Sequence, residues 1–365
     1  MTQIKIGFVL LSNSQQPMPS TRIVVLNMFP FLRRSNIDPH IVFEPEESAE
    51  TPDVSGLASY ILSEGFHIVF FQKVHGPSVV ELVHQLSDAG VKTVYSVCDL
   101  VNVEMATATD LTIVVTDYLK SLYPQLLHQK IRVVHDGIEH PEVCKYDWGK
   151  ERSSYKKKLH ALLVTSAALD HLPILGTPPK WLEVTIVGRY PKPGQLLQRL
   201  REMRWKYLSL RGSQKHIAYL DFLTCQSIHR VAWDPVGVYC AMMQADIGII
   251  PITTTPDHEA GQTPPSWKVK SENRLTMKMC AGLPVIATPI PAYERVIDQG
   301  NNGYLARSKA EWLEYLDALR DPFLRRTIGN NARESVLSRY SKQEQARCLI
   351  KIFVSLMESE VNVSG

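Results

Sequence analysis

Short apolar runs alternate with amphipathic stretches through the first half of the chain. The runs IKIGFVLL, HIVF, HIVFF, KTVYSV, LTIVV and IRVVHDG are apolar on successive positions rather than on every second one. That pattern suits parallel strands covered on both faces. Between them Thr21–Leu32, Leu57–Ser63 and Ser78–Ala89 read as helices, the last running into Gly90 as helix ends often do. The segment Glu139 to Lys158 then loses apolar periodicity and gathers charge, the mark of a linker. Afterwards HALLVTS, EVTIVG, KYLSL, HRVAW, DIGIIPI and LPVIAT predict a second set of strands. The expected order is an N-terminal Rossmann-like domain at 1–145, a linker at 146–159 and a C-terminal Rossmann-like domain at 160–338. A terminal helix at 339–365, with apolar residues at helical spacing, is expected to pack on an existing surface and to cross back to the first domain. The polar, Pro- and Thr-rich stretch Thr253 to Trp267 is a long loop of the kind that is usually functional or mobile.

Composition agrees with two cores. The 365 residues are 44% hydrophobic and 21% charged, enough apolar material for two domains and too much for disorder. A net charge of +3, with scattered basic residues, gives no reason to expect nucleic acid as a partner. Cys98, Cys144, Cys225, Cys240, Cys280 and Cys348 include no pair at zinc or redox spacing and read as reduced thiols of a cytoplasmic protein. No targeting segment and no apolar run of bilayer length is evident, so any membrane contact would be peripheral, at the inner face.

Several chemistries lose their usual support. The sequence has no G-x-G, no P-loop, no H-E-x-x-H, no G-x-S-x-G and no Asp-x-Asp pair. No metal ligand set is apparent either, His75 being a lone histidine, so neither metal nor cofactor is expected.

The most informative stretch is KVKSENRLTMKMCAGLPVIAT, Lys268 to Thr288. Ser271 is a candidate N-cap, Leu275 and Met279 form an apolar stripe, and Gly282 with Pro284 ends the helix before a strand. A helix N-terminus favours anions by roughly 0.3–1 kcal/mol each, so Lys268, Lys270 and Arg274 are unfavourably placed there until an anion arrives. Because the helix feeds a parallel strand, its N-terminus lies at the sheet edge where ligands bind in open α/β folds. The plain alternative is a set of solvated lysines screened by Glu272.

With its basic start, amphipathic helix, AGLPVIAT and PAYERVIDQGNNGYLA, this region resembles the donor-binding half of GT-B fold glycosyltransferases, particularly the retaining family 4 group. PSTRIVVLNMFPFL, VFFQK, KTVYSVCDL and VVHDGIEHP extend the likeness to the first half. The resemblance implies an α/β protein of two Rossmann-like doubly wound domains facing a central cleft. It implies a metal-independent, retaining transferase moving a sugar from a nucleotide-sugar donor to a glycan, glycolipid or small-molecule acceptor in polysaccharide or glycoconjugate biosynthesis. The family's paired glutamates are missing, their positions falling on Val269 and Met277, and Thr165 and Ser166 stand where many relatives carry a basic residue. The resemblance therefore leaves the donor phosphates to Lys268, Lys270, Asn273 and Arg274. A catalytically silent subunit and a sugar-nucleotide epimerase are the rival readings.

Other candidates each carry a plain alternative. On the acceptor side, Arg22 stands where the first helix begins and meets a ligand or only solvent. Gln72, Lys73 and His75 follow a strand at its ligand-facing end. Asp99, in the equivalent place, contacts an acceptor hydroxyl or caps a helix. On the donor side, Glu294 binds sugar or ribose hydroxyls or is a surface residue, Arg189 faces the ligand or solvent, and Trp233 lines a base pocket or packs in the core. NMFPFLRRS and SSYKKKL combine apolar groups with cations and could touch an anionic membrane, the preferred reading of the first being a core-facing helix.

Overall fold

The computed structural model describes residues 3–145, 158–192, 194–254 and 264–361. Most of the expected linker, the SSYKK part of SSYKKKL and the middle of the 253–267 loop lie outside them. Two compact units emerge: Met1–Glu139 with Lys268–Asn273 and Arg339–Gly365, and His140–Trp267 with Arg274–Ser338. The break thus falls at Glu139/His140, and the chain returns to the first unit twice.

The first unit holds a parallel six-stranded sheet of β1 (Ile4–Val9), β2 (Ile37–Phe43), β3 (Ile68–Gln72), β4 (Lys92–Val97), β5 (Leu111–Val114) and β6 (Ile131–Val133). Its order is β2-β1-β3-β4-β5-β6. Both faces are covered, as the unbroken apolar runs require: Val69 and Phe71 join one core, Ile68 and Phe70 the other. The second core is closed by the terminal helix Lys342–Val361, which sets Ala346, Leu349 and Phe353 against it.

The second unit repeats the plan with β7 (Leu159–Val164), β8 (Leu182–Gly188), β9 (Ile228–Ala232), β10 (Ile247–Ile250), β11 (Val285–Ala287) and β12 (Tyr304–Leu305), ordered β12-β11-β10-β7-β8-β9. Read from β9 this is the dinucleotide-fold order, with its switch point between β7 and β10. Gly188 shows how tightly the ligand edge is built. A Cβ there would lie 2.5 Å from the Ala167 carbonyl, so only glycine lets the loop after β7 press against β8.

Three local expectations change. KYLSL is not a strand but the end of the helix Leu196–Ser209, because the polar residues before it continue one helical turn after another. Thr21–Leu32 is broken into Pro19–Val24, a 3-10 turn at Leu26–Met28 and Phe29–Arg34. Pro30 has no N–H to continue an earlier helix but fits the first turn of a new one. The key helix spans Asn273–Cys280, so Ser271 is not its cap.

Candidate functional site

In the second unit, the carboxyl edge of the sheet collects residues from four connections. Thr165 and Ser166 follow β7, Arg189 follows β8, Arg274 opens the 273–280 helix, and Glu294 closes the short helix Pro291–Glu294 beyond β11. Arg274 donates from Nη2 to Ser166 Oγ at 2.9 Å, so its guanidinium is held over the switch point rather than free to swing. Thr288 Oγ1 accepts the Ile252 N–H at 2.9 Å and pins the start of the long loop after β10. Arg189 is exposed. Glu294 is exposed too, and its nearest cation is Arg307 at 3.7 Å. Trp233 is 38% exposed, so it is not core packing.

Beneath Arg274 lies a residue sequence reading passed over. Lys278 is fully buried, its Nζ donating to the Arg274 carbonyl at 2.9 Å. Burial, reinforced by the Arg274 charge, brings its pKa down to about 7. Gly248 of β10 makes the room: a Cβ there would sit 2.9 Å from Lys278 Cδ. A charged residue on the apolar side of a helical pattern was the available signal, and the 3.6 period puts Lys278 beside Leu275.

Lys268, Val269, Lys270, Ser271, Glu272 and Asn273 belong with the first unit. The predicted phosphate ligands are therefore divided, Lys268, Lys270 and Asn273 with that unit and Arg274 with the other. Val269 is buried in the first unit's core. Glu272 does not screen the lysines in solvent; it is 2% exposed, with Oε1 2.7 Å from His135 Nδ1. The ring proton is aligned on the Val115 carbonyl at 3.0 Å, so the Glu272 contact is ionic rather than a formed hydrogen bond. Burial works against the His135 cation, but Glu272 outweighs it and raises the pKa. Asp136, also buried, is pushed up to about 7 by burial and by Glu272, against the opposing hydrogen bond from Ser271. Ser271 thus serves a carboxyl of the first unit instead of a helix end.

At the carboxyl edge of the first sheet, Lys73 and Asp99 meet. Lys73 Nζ lies 2.8 Å from Asp99 Oδ1 and 3.6 Å from Glu50 Oε1. Lys73 takes a left-handed φ of 60°. Burial disfavours its charge, yet Cys98, Asp99 and Glu50 together raise its pKa. His75 is 4.0 Å from Glu50 Oε2. The cap of the helix Val103–Ala108 is Asn102, so Asp99 is not spent in that way. Gln72 is buried, its Oε1 accepting from Leu11 N at 3.1 Å and Thr21 Oγ1 at 2.9 Å, which ties β1 to the first helix. Arg22 is held by Glu139 through Nε at 2.7 Å and Nη2 at 3.0 Å. Phe29 and Leu32 of NMFPFLRRS are buried in the core.

Among the described residues, one group has metal-ligand spacing: His160, Glu183 and His229, whose ligand atoms lie within 4.8 Å of one another. It sits toward the amino ends of β7, β8 and β9, away from the ligand edge. Lys158 already holds Glu183 Oε1 at 2.7 Å, so an ion-pair cluster accounts for it.

Residues 262–351 match the family model described as glycosyl transferase-like. No curated protein sequence matches the chain. Among solved structures, a glycosyltransferase from Rickettsia africae ESF-5 is similar at 13% identity and a TM-score of 0.67, covering 98% of this chain and 99% of that one. HepE of Anabaena in complex with UDP is similar at 12% identity and 0.64, covering 96% and 100%. Sucrose-phosphate synthase from Thermosynechococcus elongatus is similar at 11% and 0.65, covering 98% and 100%. Two successive parallel α/β sheets and likeness along nearly the whole chain to these structures establish the GT-B fold, and the glycosyl transferase-like match takes in the helix Asn273–Cys280.

Proposed function

We propose that this chain is a glycosyltransferase moving a sugar from a nucleoside diphosphate donor to a hydroxyl of a glycan, glycolipid or small-molecule acceptor in glycoconjugate biosynthesis. The reaction needs no dedicated divalent metal and proceeds with retention at the anomeric carbon. One observation carries the reading: the glycosyl transferase-like match spans 262–351, and within it Arg274 opens a helix at the sheet's carboxyl edge with its guanidinium fixed on Ser166.

The chemistry follows from charge. Breaking the sugar–phosphate bond leaves negative charge on the departing diphosphate, and cations already fixed in place stabilise it without reorganising. Arg274 supplies a bidentate donor set, with Lys268, Lys270, Asn273 and the helix N-terminus as further phosphate ligands. Thr165 and Ser166 line the same edge, and Arg189 and Glu294 serve the nucleoside or sugar. In the first unit Asp99, held by Lys73, contacts the acceptor hydroxyl, with His75 beside it. The structures of HepE hold UDP and UDP-glucose, which makes uridine nucleotides the first donors to test.

The experiment is a thermal-shift screen with UDP, GDP, CMP and dTDP followed by donor turnover with and without acceptors. A ligand at a hundredfold excess over its Kd stabilises by about 2.7 kcal/mol, which is readily seen. Stabilisation by none of the four would refute the reading. Val269, buried where the family's first glutamate would lie, favours one second reading, a catalytically silent GT-B subunit. It would show a weak shift or none and no turnover with any acceptor.

A further inference from the structure

The helix Leu196–Ser209 has no buried residue. At 100° per residue, Arg204, Leu197, Leu208, Arg201 and Trp205 fall on an arc of about 100°. The three apolar members are 78%, 69% and 71% exposed for Leu197, Leu208 and Trp205. Leu196 and Leu200, at 64% and 52%, continue the apolar area along one side. The Tyr207–His216 ring contact at 4.5 Å joins it to the next helix, Ser213–Thr224, where Ile217 is 59% exposed. Scattered single apolar residues on a surface need no explanation, but a contiguous group on one helix does.

The charges on this helix are sorted by face. Lys206, toward the inner side, is neutralised by Asp170 at 3.0 Å, and the helix's one acid, Glu202, lies off the arc and accepts from Gln198 at 3.0 Å. Arg201, Arg204 and, just past the helix end, Arg211 have no carboxylate within ion-pairing distance among the described residues. The outward arc is therefore arginine, leucine and tryptophan with no negative charge.

We propose that this face is a docking surface for an anionic lipid bilayer, on which the helix lies in the plane of the headgroups. A two-fold contact between copies would bring the same arginines against each other, which like-charge repulsion opposes. The face is convex, a single helix rather than a groove, and its cations alternate with its apolar groups. That is the arrangement in which leucines enter the acyl boundary, tryptophan sits at the interface and arginine stems extend to lipid phosphates. Its position also sets it apart from NMFPFLRRS, whose Met28, Phe29 and Leu32 are used in the first unit's second core.

The test is flotation of the full chain with vesicles of phosphatidylcholine alone and with 30% phosphatidylglycerol, on the order of a working anionic surface. Expected is binding to the anionic vesicles at least tenfold stronger than to neutral ones, weakened by salt. Arg201→Glu with Arg204→Glu, and separately Leu197→Ser with Trp205→Ser and Leu208→Ser, should each reduce it at least tenfold while circular dichroism and melting stay unchanged. Quenching by bromolipid should be lower in Trp205→Phe than in the parent. Equal binding to both vesicle types, no binding, or binding indifferent to both sets of substitutions would overturn the proposal. So would a dimer in solution that the serine variant dissolves.

Discussion

Lys278 offers the sharpest test of the second unit's interior. The ammonium is buried beside β10, with one hydrogen bond to the Arg274 carbonyl and the Arg274 charge nearby. Its pKa falls from 10.5 to about 7 in the folded chain. Between those values the unfolded chain carries a proton that the native chain has released, so stability rises with pH across that window. Each unit is worth about 1.4 kcal/mol, which makes the whole penalty for the charged form on the order of 5 kcal/mol. Lys278→Met keeps the length, removes the charge and loses one hydrogen bond worth about 1 kcal/mol. The variant should therefore be more stable than the parent near pH 7 by a few kcal/mol, the gap shrinking by roughly 1.4 kcal/mol per unit above that. The assay is urea unfolding of parent and variant at pH 7, 8 and 9, taking the difference so that all other titrations cancel. A difference that stays flat with pH would show that Lys278 does not titrate there, and the account of its burial would be wrong.

Three further outcomes are expected. Replacing Lys268 and Lys270 together with Ala should lower affinity for UDP tenfold or more while leaving uridine nearly unaffected in calorimetry; equal losses would remove both from the phosphate site. Asp99→Asn should leave UDP binding intact and reduce transfer by a hundredfold or so, general acid–base and contact roles being worth about that much; unchanged transfer would reduce Asp99 to an anchor for Lys73. Asp136, raised from 3.8 to about 7, keeps its proton in the folded chain where the unfolded chain loses it, so stability falls as pH rises through that range. The raised His135 adds to the same trend above it, since its stabilising proton is lost as pH passes the folded pKa. Unfolding midpoints of Asp136→Asn between pH 4.5 and 7 should show a shallower decline than those of the parent, and parallel curves would contradict the assignment.

The one-dimensional pattern determined the elements that depend on near neighbours. Unbroken apolar runs marked the strands of both sheets because each such strand is covered on two faces, and Gly282 with Pro284 ended the helix within the glycosyl transferase-like segment because backbone geometry leaves little choice there. The Lys268–Arg274 concentration of cations was visible for the same reason. Which of those cations share a unit was decided by tertiary packing, since Val269 is buried in the first core while Leu275 is buried with the second unit. The fate of each polar side chain was likewise set by partners far along the chain. Arg22 is held by Glu139, Glu272 by His135, and Arg274 by Ser166. Local spacing cannot encode such pairs, because a charge at a helix start looks the same in sequence whether it faces solvent, a buried carboxylate or a ligand. The 196–209 helix shows the converse: its leucines suggest a core, and only the folded chain reveals that nothing in the described residues covers them.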